Sequence, residues 1–311
     1  MKSDSKIFVA GHRGLAGSAI IRTLKKNGFK NIITKSKSEL DLRNQQEVKD
    51  FFNAESVEYV FDAAAKVGGI HANSTYPADF IYDNLMIQTN LIDSAYRCGV
   101  KKFLFLGSVC IYPKFAPLPI VEDCLLTGFL EPTNEAYAVA KIAGIKMCQA
   151  YRKQYGFNAI SLMPTNLYGP GDNYHPENSH VMAAMIRRFH EAKQNNSAEV
   201  TCWGDGSPKR EFLYSDDLAS ACLTAMQKYE DYEIMNVSTG IEYTIKEVAE
   251  TVSSVVNYEG KIVWDTTKPN GTIKRPLYTG KVKDLGWSPK INLLNGIKKA
   301  YSDYISIEKN K

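Results

Sequence analysis

Short apolar runs alternate with longer amphipathic segments along the first half of the chain. The apolar runs are bounded by glycine or polar residues, which is typical of buried strands, and the segments between them have apolar residues at helical spacing. The predicted strands cover residues 7–10, 31–34, 57–62, 102–107 and 159–163, and the predicted helices about 15–27, 46–54, 78–98 and the segment around Tyr137. This alternation predicts an α/β fold, a doubly wound parallel sheet with crossover helices.

The pattern changes after residue 164. Loops rich in asparagine, glycine and proline occupy residues 165–179, and a helix near 181–192 and a short strand around 200–203 follow. We therefore predict a smaller α/β lobe, partly inserted into and partly appended to the sheet, that binds the substrate.

The composition limits the classes of protein. Of the 311 residues 44% are hydrophobic, and 38 basic against 34 acidic residues leave a net charge of +4, too small and too dispersed for a nucleic-acid partner. No apolar stretch approaches the roughly 20 residues that span a membrane, and we expect no signal peptide. The six cysteines have neither zinc-site spacing nor disulfide density, so we expect reduced thiols, no metal and a cytoplasmic location.

A glycine-rich loop follows the first predicted strand and opens an amphipathic helix. Its glycines are spaced GxxGxxG. A strand, a glycine turn and a helix in this order present backbone N–H groups to a pyrophosphate at the helix N-terminus. The residues expected to bind a dinucleotide here are Gly11, Arg13, Gly14, Leu15 and Gly17.

The residues after the second predicted strand favour NADP over NAD. An acidic residue there usually binds the free ribose hydroxyl, whereas basic side chains accept a 2′-phosphate. This chain has Lys35 and Lys37 at that point, and Arg13 adds a third cation. Asp41 and Leu42 are expected at the adenine end. The alternative for the two lysines is an ordinary solvated surface.

Tyr137 and Lys141 are four residues apart on a predicted helix and so lie on one face. The ammonium is expected to lower the pKa of the phenol from about 10 and to prepare it to donate a proton. Ser108 follows the strand 102–107 at the edge where open α/β sheets bind ligands, so its hydroxyl can reach the same carbonyl oxygen. These three residues, together with the glycine loop, resemble the catalytic triad of the extended short-chain dehydrogenases over the whole chain.

This resemblance implies two domains. The first is an NADP-binding Rossmann domain over residues 1–166 plus about 212–240. The second is a nucleotide-sugar-binding lobe over about 167–211 plus 241–311. It also implies a homodimer that packs the helix 78–98 and the Tyr137 helix against their copies.

Longer blocks at residues 63–70, 110–114, 131–135, 163–170 and 178–181 resemble the GDP-L-fucose synthase family. The resemblance implies an NADPH-dependent 3,5-epimerase and 4-reductase that converts GDP-4-keto-6-deoxy-mannose to GDP-L-fucose. The further cofactor contacts it implies, besides Tyr137 and Lys141, are Ala64, Pro164, Asn166 and His180. The residues it implies for the nucleotide sugar are Ser108, Asn166, Arg188, Trp203 and Arg210, with Lys281 and Lys283 as additional candidates.

Epimerisation needs groups that remove and return protons at the carbons flanking the ketone. A thiol and an imidazole, with ordinary pKa values of about 8.5 and 6.5, exchange protons near neutrality. The resemblance gives these roles to Cys110 and His180. Cys110 is two residues beyond Ser108, so both side chains face the same side if the strand remains extended.

Departures from the family pattern leave the sugar open. Val109 stands where a small polar residue is typical, and after the segment 268–272 the basic pair 274–275 is followed by Pro276, Leu277 and Tyr278, where the family has Leu-Leu-Asp. A GDP-4-keto-6-deoxy-heptose substrate, or 4-reduction alone, is therefore an alternative.

Three other functions are disfavoured. A dehydratase would have an Asp-Glu pair in place of Val109 and Cys110. A 4-epimerase would need neither Cys110 nor His180. A Rossmann protein that only senses NADPH would not keep all three residues of the triad.

Overall fold

The computed structural model describes residues 1–176, 178–268, 270 and 275–309. In chain order, strands β1 to β11 are Ile7–Ala10, Ile32–Ile33, Tyr59–Asp62, Lys102–Leu106, Ala159–Pro164, Asn166–Tyr168, Glu199–Trp203, Lys209–Tyr214, Met235–Val237, Glu242–Thr244 and Lys261–Asp265. Helices α1 to α10 are Leu15–Lys26, Gln45–Glu55, Ile70–Thr75, Pro77–Arg97, Glu135–Tyr155, Val181–Gln194, Ser215–Lys228, Ile245–Val256, Gly280–Asp284 and Leu293–Lys309. Within these ranges, the helices are too short or too polar for any of them to cross a lipid bilayer.

The central sheet has six parallel strands in the order β2-β1-β3-β4-β5-β9. The predicted doubly wound α/β fold is therefore confirmed. The strand order reverses between β1 and β3, and open sheets of this kind bind ligands at the carboxyl ends of the strands beside that reversal. The first loop after β1 and the segment after β3 meet there.

The strands have buried apolar side chains on both faces of the sheet, which explains why helices cover both faces. On β3 and β4, Val60, Phe103 and Phe105 belong to one buried cluster, whereas Phe61 and Leu104 belong to the other. Successive side chains of a strand point to opposite faces, so each strand contributes to both clusters. Helices α4 and α5 pack together against the first face, and α1 and α7 against the second.

The rest of the chain forms smaller sheets beside the central one. Strands β10, β8 and β6 form one sheet, β11 and β7 pair in parallel, and helices α6, α8 and α10 share a third buried cluster with them. The buried carboxylate of Glu211 on β8 connects this region to the central sheet, because it accepts hydrogen bonds from the Ser238 hydroxyl at 2.7 Å and the Leu277 N–H at 3.3 Å. The predicted smaller α/β lobe corresponds to these sheets, while the exact domain boundaries stay a prediction.

Candidate active site

A cleft of about 1010 Å³ opens at the carboxyl ends of β1, β3 and β4. The predicted site residues that line it are Gly11, Arg13, Gly14, Leu15, Lys35, Lys37, Asp41, Leu42, Ala64, Ser108, Tyr137, Pro164, Asn166 and His180. Gly17 and Lys141 are predicted residues that lie buried behind its wall. The structure thus brings most of the predicted cofactor residues to one place.

The glycine loop leaves room for a ligand because its backbone packs closely on the neighbouring strand. Gly11 has φ +76°, and a Cβ there would lie 2.6 Å from the carbonyl oxygen of Ala63. A Cβ on Gly17 would lie 2.2 Å from the carbonyl oxygen of Gly11. Gly14 is the N-cap residue of α1, directly before Leu15. No side chain of the described residues caps the helix, so its first N–H groups are available to an anion. This cradle fits a pyrophosphate.

The far end of the cleft carries several cations. Arg13, Lys35 and Lys37 line it together with Arg43, which the sequence analysis missed. Arg43 holds Asp41 through two hydrogen bonds at 2.7 and 3.0 Å and lowers the pKa of that carboxyl to about 2. The carboxylate of Asp41 is therefore compensated by Arg43. The three remaining cations suit a 2′-phosphate.

Ser108 and Tyr137 face each other across the inner end of the cleft. Ser108 follows β4, and Tyr137 lies in the first turn of α5. Burial raises the pKa of Tyr137 above its ordinary value, and the Ser108 hydroxyl partly offsets this. The predicted net lowering of the phenol pKa is wrong in this structure, because burial outweighs any effect of the Lys141 charge. The Lys141 ammonium lies 6.0 Å from the centre of the Tyr137 ring and donates instead to the carbonyl oxygen of Leu106 at 2.8 Å.

Cys110 reaches Ser108 by a turn, not by an extended strand. The chain bends into a short 3-10 turn over Val109–Ile111, and Ser108 Oγ accepts the Cys110 N–H at 3.4 Å. The extended geometry expected from the sequence is therefore wrong. Burial raises the pKa of the Cys110 thiol to about 11, partly offset by the Ser108 hydroxyl and by the charges of Lys141 and Arg275. The thiol thus holds its proton at neutral pH.

His180 also lines the cleft, at the residue that precedes α6. Its side chain is exposed to the open cleft, yet the protein around it displaces enough water to lower its pKa. The imidazole is therefore neutral at pH 7. Environments that separate two pKa values in this way mark a potential acid and a potential base.

Of the residues predicted for the nucleotide sugar, Ser108 and Asn166 line the cleft, whereas Arg188, Trp203 and Arg210 fall into two groups outside its described lining. Arg188 on α6 donates to the carbonyl oxygen of Thr201 on β7, close to the two-thirds exposed Trp203. Arg210 on β8 lies near Arg275, whose charge adds to the effect of burial in lowering the pKa of the Arg210 guanidinium, while Glu242 opposes it.

Arg275 is a second residue that the sequence analysis missed. It donates to the carbonyl oxygens of Tyr112 and Pro113 at 3.2 and 3.3 Å and lies near the Cys110 thiol. Its signal in the sequence is the basic pair at 274–275.

Other candidates in this segment do not reach the site. Lys281 on α9 pairs with Glu233, and neither it nor Lys283 is part of the cleft wall among the described residues. Tyr278, which replaces the family's aspartate, is about half exposed. Pro269, Gly271, Thr272 and Lys274 lie outside the described residues.

A dinucleotide cradle, a cationic end, and a hydroxyl pair beside a thiol and an imidazole define a Rossmann-type enzyme that can rearrange or reduce a carbonyl. The model of the NAD dependent epimerase/dehydratase family matches residues 7–238. The chain belongs to the NAD dependent epimerase/dehydratase family.

Individual relatives show a more specific similarity than the family model does. GDP-L-fucose synthase 1 of Arabidopsis thaliana is 61% identical over 302 residues, which cover 97% of this chain and 94% of the relative. This bears out the resemblance to the GDP-L-fucose synthases. Among solved structures, a GDP-6-OMe-4-keto-L-xylo-heptose reductase from C. jejuni is 39% identical with a TM-score of 0.93 over 99% of both chains. A GDP-mannoheptose C4 reductase from Campylobacter jejuni with NADP bound is 41% identical with a TM-score of 0.90, over 98% of this chain and 99% of that one.

Proposed function

We propose that the protein is an NADPH-dependent 3,5-epimerase and 4-reductase that converts GDP-4-keto-6-deoxy-mannose to GDP-L-fucose. One observation carries the proposal: the Ser108 hydroxyl, which lines the dinucleotide cleft, interacts with both the Tyr137 phenol and the Cys110 thiol, although Cys110 itself is outside the described lining of the cleft. One pocket thus offers proton donors for a ketone oxygen and a proton-exchanging group beside it. The high identity to a plant GDP-L-fucose synthase supports the same reaction.

The residues present fit NADPH, which supplies the hydride when bound. The N-terminus of α1 and the Gly11 loop would hold the pyrophosphate. Arg13, Lys35 and Lys37 would bind the 2′-phosphate through charge-assisted hydrogen bonds. A relative of similar fold that is described with NADP bound supports this cofactor.

Epimerisation begins with the ketone at C4, which acidifies the hydrogens at C3 and C5. Ser108 and Tyr137 donate hydrogen bonds to the C4 oxygen and stabilise the charge that develops when a proton leaves. Cys110, which holds a proton, and His180, which has a free nitrogen lone pair, are the two proton-exchanging groups. One removes the proton from carbon and the other returns a proton to the opposite face, so each centre inverts with no net change in protons.

Reduction follows in the same pocket. As C4 is reduced, Tyr137 would transfer its phenolic proton to the oxygen, which becomes a hydroxyl. The tyrosinate left behind is stabilised by the Lys141 ammonium, one turn further along α5.

The substrate diphosphate would be held by guanidinium groups. Arg210 lies near Arg275, which in turn lies near Cys110, and two like charges in a half-buried place suit an anion with two phosphates. Arg188 and the exposed face of Trp203 would bind the nucleoside end. On this assignment residues about 167–211 and 241–311 hold the sugar nucleotide, and residues 1–166 and about 212–240 hold NADP.

A GDP-4-keto-6-deoxy-heptose is the second candidate substrate, with or without epimerisation. Two solved structures of similar fold are described as GDP-heptose reductases. Tyr278 in place of the family's aspartate also favours a different sugar.

Product analysis tests the proposal. The protein is incubated with NADPH and either GDP-4-keto-6-deoxy-mannose or its heptose counterpart, and the product is identified by NMR. We expect GDP-L-fucose, with one NADPH oxidised per product. A product that keeps the manno configuration at C3 and C5 would leave only the reductase, and turnover of the heptose alone would assign the second substrate.

We further propose a cytoplasmic homodimer built on α4 and α5. These two helices pack side by side, and the large apolar side chains of Tyr82 and Val139 on them are exposed. Phe80 and Leu91 on α4 are buried within the chain and do not contribute. Light scattering on the purified protein is expected to give twice the monomer mass of 34.8 kDa.

A further inference from the structure

A buried aspartate shares a sheet face with the lysine of the triad. Asp62 ends β3, and its neighbour on β4 is Phe105. Val60, two residues before Asp62, and Phe105 both face the α4 and α5 side, so Asp62 faces that side too. Lys141 extends from α5 onto the same spot, with its nitrogen 4.6 Å from the centre of the Phe105 ring. Adjacent strands are about 4.8 Å apart, so the carboxyl and the ammonium lie on the same side of the sheet, near one ring.

Both groups are buried and incompletely hydrogen-bonded. Asp62 is 1% exposed; its Oδ1 accepts the Ala64 N–H at 3.1 Å, and its Oδ2 has no hydrogen-bond partner among the described residues. Lys141 is 3% exposed and has three N–H bonds, of which the one to the Leu106 carbonyl oxygen is made. Burying a carboxylate without compensation is costly. The ammonium across Phe105 is the compensating charge, and it acts through space, since its hydrogen bond goes to Leu106.

The other titratable groups around Lys141 cannot take this role. They are Cys110 on the turn after β4, and Cys148 and Tyr137 on its own helix. Burial raises the pKa of Cys110 to about 11 and of Cys148 to about 12, so both are neutral at pH 7. The pKa of Asp62 is raised only to about 6, because the Lys141 charge partly opposes its burial. Asp62 is thus the anion that faces Lys141.

We propose that Asp62 is a positioning residue for the triad: its carboxylate keeps Lys141 protonated and oriented beneath Tyr137, and it thereby determines the alkaline limit of the reduction. This rests on the proposed function in taking Lys141 as the lysine that stabilises the tyrosinate. Asp62 does not belong to the described lining of the cleft, so the carboxylate acts through Lys141 and not on the ligands.

The sign of the effect follows from the charges. Burial lowers the pKa of Lys141, and Asp62 raises it again. An uncharged residue at position 62 leaves only the effect of burial, so the ammonium loses its proton at a lower pH. The alkaline limb of kcat for reduction then moves to lower pH, while the KM for the sugar nucleotide does not change.

Asp62→Asn tests this with Asp217→Asn as a matched control. Asp217 is also a buried aspartate and accepts the N–H groups of Lys290 and Ile291 at 3.1 and 2.9 Å, far along the chain from the triad. Between about pH 6 and about 10, the ratio of kcat at high pH to kcat at neutral pH is expected to fall about threefold or more in Asp62→Asn. Asp217→Asn is expected to lose thermal stability and keep the wild-type ratio. An unchanged ratio in Asp62→Asn would overturn the proposal.

A stability cycle gives a readout that does not depend on activity. The free energy of unfolding in urea at about pH 8 is measured for wild type, Asp62→Asn, Lys141→Met and the double variant. Lys141→Met is expected to destabilise the wild-type protein more than it destabilises Asp62→Asn. In the wild type it removes the positive charge that compensates the buried Asp62 carboxylate. If Lys141→Met lowers the free energy of unfolding equally in the wild-type and Asp62→Asn backgrounds, the pairing is overturned. If the two losses differ but the protein shows no reductase activity, only the proposed function is contradicted.

If Asp62→Asn does not fold, Lys141→Met alone is decisive. Without the ammonium, ionisation of Asp62 is opposed more strongly, so stability should fall more steeply than in wild type as pH rises through about 6. Parallel pH profiles of stability for Lys141→Met and wild type would contradict the pairing.

Discussion

Ser108 Oγ accepts a hydrogen bond from the backbone N–H of Cys110 at 3.4 Å, so the hydroxyl of the triad also caps the turn that carries the thiol. The position of the proton-exchanging group therefore depends on the group that binds the ketone. In this arrangement reduction and epimerisation share one structural support.

Replacing Ser108 should impair both half-reactions. Ser108→Ala removes a donor to the developing oxyanion, which costs about 100-fold in kcat at comparable sites, and it removes the cap of the turn, worth about 1 kcal/mol. Ser108→Thr keeps a hydroxyl for both. Rates of NADPH oxidation and of deuterium exchange at C3 and C5 are measured in each. Normal exchange in Ser108→Ala would show that the thiol does not depend on the cap.

Cys110→Ser should separate the two reactions. The serine hydroxyl is far less acidic than a thiol, so exchange at C3 and C5 should fall about 100-fold or more, while reduction of an already epimerised ketosugar continues. Tyr137→Phe should lose reduction and lower the exchange at C3 and C5 less, because Ser108 still donates to the C4 oxygen. Cys98→Ser, at the end of α4, is the control and should keep both activities. Equal loss of both activities in Cys110→Ser and Tyr137→Phe, with folding intact, would contradict the division of roles.

Lys35→Ala and Lys37→Ala should weaken the binding of NADPH without affecting the binding of NADH. Each loses a charge-assisted contact to the 2′-phosphate, worth about 1.5 kcal/mol, so the KM for NADPH should rise roughly tenfold. The control is Lys25→Ala in the last turn of α1, outside the cleft. Steady-state kinetics with the two cofactors decide the result. If both lysines can be removed without effect, they are surface residues.

Stability should decline from weakly acidic to weakly alkaline pH through Asp62 and Glu211. Burial raises their pKa values to about 6 and about 7, above the ordinary values near 4 that apply in the unfolded chain. Their protonated forms are favoured by folding, so their contribution is full below about pH 4 and is lost as pH rises through about 6 and 7. Glu211→Gln keeps a hydrogen-bond acceptor but cannot ionise. Its Tm should fall less than that of wild type between about pH 5 and about 8, and a parallel fall would show that Glu211 does not titrate there.

The parts of the site that depend on local sequence were predictable. The strand before Gly11 and the helix after it, and the spacing of Tyr137 and Lys141, are properties of neighbouring residues, and the structure has both elements at the predicted places. The turn at Cys110 was not predictable. A serine followed by Val109 and Cys110 is compatible both with a strand that continues and with a turn that the serine caps. Asp62 and Arg275 depend on contacts across the sheet and across 165 residues of chain, from 110 to 275, which no local pattern contains.

The same long-range contacts explain the misjudged pKa values. The sequence predicts that Lys141 points at Tyr137, because the two share a helix face. In the structure the ammonium instead meets the Leu106 carbonyl and the Phe105 ring of β4, and Asp62 of β3. Burial then dominates over the neighbouring charge at Tyr137 and at Cys110.

The most direct test of the central claim, that one pocket both inverts and reduces, omits the reductant. The protein is incubated with GDP-4-keto-6-deoxy-mannose in deuterated water without NADPH, and the sugar is examined by NMR and mass spectrometry. We expect deuterium at both C3 and C5 in the wild type and at neither carbon in Cys110→Ser. Absence of deuterium from both carbons in the wild type, under conditions where NADPH is oxidised by the same protein and substrate, would contradict the account and leave a simple 4-reductase.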